Sequence, residues 1–288
     1  MDYGTVSIKL PIEKQIGVYN NFLTQYSLIV TSNLLVEELV SKSNEQDLLD
    51  FFDEFHGHFN DYNVVKNSFL MKMIDIEMIQ AEETRGLWLD RLYVDMTTNQ
   101  KMPSEIVLSI QRMKEYLLLF ANFENTLKQE MYESNLVDSN KFIRENEIVK
   151  YLNDYLEKES KTALFYTEIR KRTYFKEFDE INKIWKMLND IRNLFAHSGG
   201  IVTEKWLEKY KSTFGNNREI LSNASLNKSL EAVYYDTMGT KLCNDLCTVL
   251  TPDQFEIDKM YYLNEELSNF FRNFIVAIAE SLYCTLTS

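Results

Sequence analysis

Arg192, Asn193 and His197 are the residues of this chain whose types and spacing best suit chemistry. An imidazole titrates near neutrality, so it can take a proton from a hydroxyl or return one to a leaving oxygen. A guanidinium presents a planar fork of donors to a phosphate and can stabilise charge growing on it. Asn193 lies four residues before His197, one helical turn away, where its amide can orient the imidazole. Together these groups suit acid–base chemistry at a phosphate. Each also has a plainer use. A histidine in the last turn of a helix is a favourable cation at the negative helix end. Arg192 can salt-bridge an acidic residue such as Glu124, and Gly199-Gly200 is an ordinary helix stop. The spacing by itself is a short motif, and short motifs match often by chance.

The element that must position them is a helix over 176–197, predicted from its period. Phe178, Ile181, Ile184, Trp185, Leu188, Ile191 and Phe195 form one broad apolar stripe, the core face. Arg192 falls within that stripe, about 40° from Leu188. A charge there needs a partner or a wet cleft. Arg192 and His197 are five residues apart, about 140° around an ideal helix. One straight helix does not aim both at one point. Either the helix breaks before His197, as Gly199 and Gly200 would allow, or two copies of the chain pool their residues.

The wider string IRNLFAHSGGIV, Ile191 to Val202, resembles the signature of HEPN-domain proteins. That pattern is Arg, a polar residue, three further residues and His at the end of a long helix. Arg192, Asn193, Leu194-Phe195-Ala196 and His197 match it, followed by the small loop Ser198-Gly199-Gly200 and the aliphatic pair Ile201-Val202. The helical order is also similar over about residues 104–286. The resemblance implies an all-α, HEPN-like helical bundle and a homodimer whose two motifs meet. It implies RNA cleavage without metal or other cofactor, with Arg192, Asn193 and His197 as the catalytic residues. It further implies a toxin–antitoxin, abortive-infection or other antiviral-defence setting, with an antitoxin or defence protein as partner. The alternative is a non-catalytic HEPN-like module that binds a nucleotide, RNA or a protein. A third reading is a purely structural helical interaction protein in which Arg192 and His197 tie helices together.

Composition sets the wider frame. The chain has 8 Gly and 3 Pro in 288 residues, which favours long helices over turn-rich sheets. Its formal net charge is −13, unfavourable for tight nonspecific nucleic-acid binding. The charge is uneven, however. Residues 139–218 carry 16 Lys/Arg against 12 Asp/Glu, and this basic stretch holds the candidate site. Within it, Arg170-Lys171-Arg172 is either a solvated face or a guide for RNA. His56-Gly57-His58 with Glu54 fits no strong metal motif and reads as a solvated helix end. Cys243, Cys247 and Cys284 form no CxxC pair and read as buried free thiols in a reducing cytoplasm. There is no P-loop, GxGxxG, GxSxG or HExxH string. No signal-peptide pattern opens the chain, and no apolar run reaches the ~20 residues of a membrane span.

Along the chain, Pro11 opens a helix to about Lys42, and Ser43 with Gln46 gives a capping-box pattern for a short helix stopped by Gly57. A long helix is expected over 63–96, then a polar break at 97–102. That break divides an N-terminal helical region, 1–102, from a HEPN-like domain, 103–288. Pro103 starts a helix to 134, Asp138-Ser139-Asn140 caps another to Glu159, and a short helix covers 162–174. After the motif helix, Thr203 caps EKWLEKYKSTF, and 215–229 reads as loop. LEAVYY and QFEIDKMYY are short-strand candidates for a small β-hairpin insert. An apolar helix from about Leu263 to Leu286 closes the chain.

Overall fold

A computed structural model describes residues 17–59, 101–135, 137, 143–144, 147–173, 175, 177–223 and 246–288. These residues are predominantly helical and form no strand. The helices are α1 (Gly17–Ser41), α2 (Glu45–Phe59), α3 (Pro103–Glu133), α4 (Ile148–Lys158) and α5 (Thr162–Arg172). They continue with α6 (Phe178–Ser198), α7 (Glu204–Asn223), the single turn α8 (Leu246–Val249) and α9 (Glu265–Thr287).

The chain divides into two compact units, Met1–Thr31 with Arg112–Ser288, and Ser32–Gln111. The dividing points fall inside α1 and α3, not at the polar break before Pro103. A helix carries no composition signal where its packing changes. In the smaller unit, Asn44 rather than Ser43 starts α2, its Oδ1 accepting the Gln46 amide at 3.0 Å. Gly57 does not stop this helix, which runs on to Phe59. The Ser104 amide at the start of α3 donates to Glu45 at 3.2 Å. The helix expected over 63–96 lies outside the described residues.

The larger unit is built around an aromatic core. Trp185 of α6 is fully buried, stacked on Phe120 of α3 with centroids 4.3 Å apart and tilted against Phe123 at 5.4 Å. Tyr116, one turn before Phe120, meets Phe271 of α9 at 4.1 Å, and its hydroxyl donates to the Leu188 carbonyl of α6 at 2.8 Å. The first residues of α1 join this core: Tyr19 stacks on Tyr283 at 4.4 Å, and Asn122 Nδ2 donates to the Phe22 carbonyl at 3.1 Å. Glu115 and Arg272 form a two-pronged ion pair between α3 and α9, with Nη2 2.6 Å from Oε2. At 2 % exposure Glu115 is held in a dry setting, where only a paired carboxylate is tolerable.

Glu130 of α3 has the opposite problem. Burial first, and the neighbouring Glu133 second, push its carboxyl up to about 7. A folded value above the unfolded one makes the ionised form a liability. Its contribution is most favourable below the usual glutamate range and is lost as pH rises through about 7. Glu130→Gln removes this titration. Thermal melts from pH 4 to 8 should show the wild-type midpoint falling relative to the variant as pH increases. Parallel curves for the two proteins would contradict the assignment.

Ile201 and Met260 form an isolated antiparallel bridge. The Val202 amide donates to Lys259 O at 3.0 Å, and the Tyr261 amide donates to Gly200 O at 2.8 Å. The segment QFEIDKMYY is therefore not a strand: Gln254 ends a short 3-10 turn, residues 257–258 turn, and only Met260 bridges, to the loop that follows α6. Residues 230–235, the other half of the expected hairpin, lie outside the described residues. Among the described residues no helix is long and apolar enough to cross a membrane.

Candidate functional site at the end of the motif helix

Helix α6 begins with a reciprocal cap: the Glu177 side chain accepts from the third helical amide, and Glu180 accepts the Glu177 amide. Asp179 and Glu180 in the first turn suit the positive helix end. All seven residues of the predicted apolar stripe are buried. The helix stays regular through Ser198. Gly199, at φ 57° and ψ 26°, then takes the left-handed conformation and its amide donates to the Leu194 carbonyl. Gly200, at φ 89°, donates to the same carbonyl at 3.1 Å. A Cβ at Gly200 would lie 3.2 Å from Met113 Cε and 3.4 Å from Tyr261 O. Positive φ and close approach both require glycine there.

The motif residues divide along this helix. His197 is exposed, while Arg192 and Asn193 are half-buried. The guanidinium lies over the Phe120 ring, 5.8 Å from its centroid, and Nη1 donates to Asn193 Oδ1 at 2.9 Å. Glu124, the candidate partner for Arg192, pairs with Lys128 one turn along its own helix. The Asn193 amide oxygen thus holds the arginine next to it rather than the imidazole one turn ahead. Because α6 is unbroken to Ser198, a break before His197 does not occur. Arg192 and His197 keep the wide angular separation of a regular helix.

Residues that spacing could not reveal hold α6 in place. Asp190 is 7 % exposed, and its carboxylate receives Lys209 of α7 at 2.5 Å. Trp206 Nε1 of α7 donates to the Asp190 carbonyl at 3.0 Å. Thr203 caps α7 as expected, its hydroxyl accepting the Trp206 amide at 3.3 Å. Residues 215–223, expected as loop, continue α7 to Asn223. No helical repeat links residues 190 and 209, so only the folded chain shows the pair.

The three consecutive cations at the end of α5 make different contacts. Arg172 points into the fold, where Nε meets Glu280 of α9 at 2.8 Å and Nη1 meets Glu168 at 3.2 Å. Lys171 also pairs with Glu168, at 2.6 Å, and Arg170 lies over the Tyr166 ring at 5.6 Å. Burial opposes ionisation of Glu168, but the hydrogen bonds from Lys171 and Arg172 outweigh it and hold its carboxyl below the usual range. Arg172 ties α5 to α9.

Cys247 and Cys284 are free thiols, half-buried. Burial raises the Cys284 thiol above its usual range, and Arg172 Nη2 lies 3.6 Å from its sulfur. Cys243 and the side chains of His56 and His58 lie outside the described residues. Among the described residues no group of three His, Cys, Asp or Glu side chains is placed to hold a metal ion. Compared with protein-family models, with curated proteins and with solved structures, the chain matches none.

Proposed function

We propose that this chain is a metal-independent endoribonuclease of the HEPN type, a helical-bundle protein that works as a homodimer in a toxin, phage-defence or stress response. The observation that carries the reading is the exposed imidazole of His197 at the end of an unbroken helix, five residues beyond a half-buried Arg192 already aligned by Asn193. A single copy leaves the two groups on different faces. A second copy, related by a two-fold axis through this helix end, would bring both pairs to one scissile phosphate.

The chemistry balances without further reagents. One His197, neutral, takes the proton from a ribose 2′-hydroxyl as that oxygen bonds to the adjacent phosphorus. The second, protonated, gives its proton to the 5′-oxygen as the phosphorus–oxygen bond breaks. Arg192 stabilises the charge on the non-bridging oxygens. The products are a 2′,3′-cyclic phosphate and a 5′-hydroxyl end.

Single-stranded RNA incubated with the purified chain in chelator should yield those ends. Specific activity should fall steeply on dilution below the dimer dissociation constant, with light scattering reporting the loss of dimer in the same range. Activity per chain that stays constant in a proven monomer would remove the shared-site mechanism. The packing of Arg192 over Phe120 and the net charge of −13 also favour a second reading, a binding module that holds RNA or a nucleotide without cutting it. RNA that is retained but stays intact is its signature.

A further inference from the structure

Asn189 lies on α6 one turn before Asn193. It is 7 % exposed, and its Oδ1 is closed to solvent and meets no donor among the described residues. A buried amide oxygen without a hydrogen bond bears the full cost of its lost hydration. Folded proteins keep few such atoms, and each one calls for a reason. Water and substrate do not reach this oxygen, so its donor has to come from a neighbouring side chain.

Helix geometry names that donor. On a regular helix Asn189 lies about 60° from Arg192, whereas Asn193 lies about 100° from it. Long helical side chains lean back over the preceding turn, which takes Arg192 toward Asn189 and His197 toward Asn193. Residues three and four apart are neighbours on the helix surface, and both pairs have that spacing. The observed arrangement uses neither pair. Arg192 Nη1 donates to Asn193 Oδ1 at 2.9 Å, while the Asn189 oxygen accepts nothing.

We infer that Asn189 is a positioning residue. When substrate engages the site, Arg192 transfers its Nη1 hydrogen bond from Asn193 to Asn189, and the Asn193 amide is released to hold the His197 imidazole. The inference rests on the nuclease reading. Only hydrogen bonds change in this exchange: one is given up and two form. Arg192 spends one of its N–H donors on Asn189 and keeps the others for the phosphate. Without the Asn189 acceptor, freeing Asn193 would cost the arginine its tether.

Steady-state cleavage of single-stranded RNA in chelator by full-length variants tests the exchange. Asn189→Leu deletes the acceptor and keeps the side chain's bulk. It should lower kcat about tenfold to a hundredfold by leaving His197 misplaced. KM should stay within about twofold of wild type, because Asn189 does not touch RNA. The melting midpoint should equal or exceed the wild-type value, since an unmet acceptor has been removed. Asn189→Asp retains the acceptor and should cleave within about threefold of wild type. Introduced beside Asn193→Ala, Asn189→Leu should cause no further loss, because its effect passes through that amide. Asn189→Ala, which also deletes the acceptor, replaces a leucine variant that fails to fold.

A lowered midpoint with undiminished kcat would make Asn189 purely structural and overturn the inference. So would a folded Asn189→Asp that loses activity as the leucine variant does, or an additive loss beside Asn193→Ala. A wild type that cuts RNA no faster than Asn189→Leu overturns this inference alone. A wild type that does not cut RNA overturns the nuclease reading and this inference together.

Discussion

Replacing His197 with alanine is expected to lower RNA cleavage in chelator by about 10²–10⁴-fold, the usual contribution of a positioned acid or base. The imidazole is exposed at the end of α6, so the substitution removes little packing and the melting midpoint should stay within about 1 °C of wild type. This combination separates a chemical role from a structural one. A histidine that merely interacted with the negative helix end would contribute about 0.3–1 kcal/mol of stability, and its loss would leave cleavage intact. Undiminished cleavage by folded His197→Ala protein would end the proposed mechanism. The pH profile supplies an independent check. If one histidine acts as base and the other as acid, activity should be bell-shaped, falling on both sides of an optimum.

Trp185→Ala should cost about 3–5 kcal/mol of stability, the range for removing a large buried aromatic. Trp185 is fully buried and touches two rings of α3, so a cavity cannot collapse without moving that helix. The same change should impair the site. Phe120 is stacked on Trp185 and carries the Arg192 guanidinium on its ring. A shifted Phe120 leaves the guanidinium without its platform. Chemical denaturation gives the stability loss, and cleavage measured well below the unfolding transition gives the second effect. A loss under about 1 kcal/mol would show that this ring is not the centre of the core.

The chain displayed its motif helix openly and its surroundings hardly at all. The apolar stripe from Phe178 to Phe195 announced both the element and its buried face, and Gly199-Gly200 announced its end, because helical period and left-handed glycine are local properties. Proline at 103 and Thr203 marked helix starts for the same reason. What remained hidden depends on residues distant in sequence. The bridge of Ile201 to Met260 spans a long insertion, and the ties of Asp190 to Lys209 and of Arg172 to Glu280 cross between helices. Arg170-Lys171-Arg172 illustrates the point. A run of charge looks like a surface until a carboxylate from another helix claims one member. Gly215 misled in the other direction: a lone glycine is affordable within a helix whose neighbours pack well, so α7 continued through it.

The stacking of Tyr19 on Tyr283 has a bearing on biosynthesis. One compact unit takes its first helical residues from α1 and its closing helix from α9, with Ser32–Gln111 emerging from the ribosome between them. Contacts of such long sequence separation form late and slowly. The apolar faces of α1 and α3 must wait for α9 before they are sealed, so the nascent chain passes through a sticky, incomplete stage that chaperones are suited to shield.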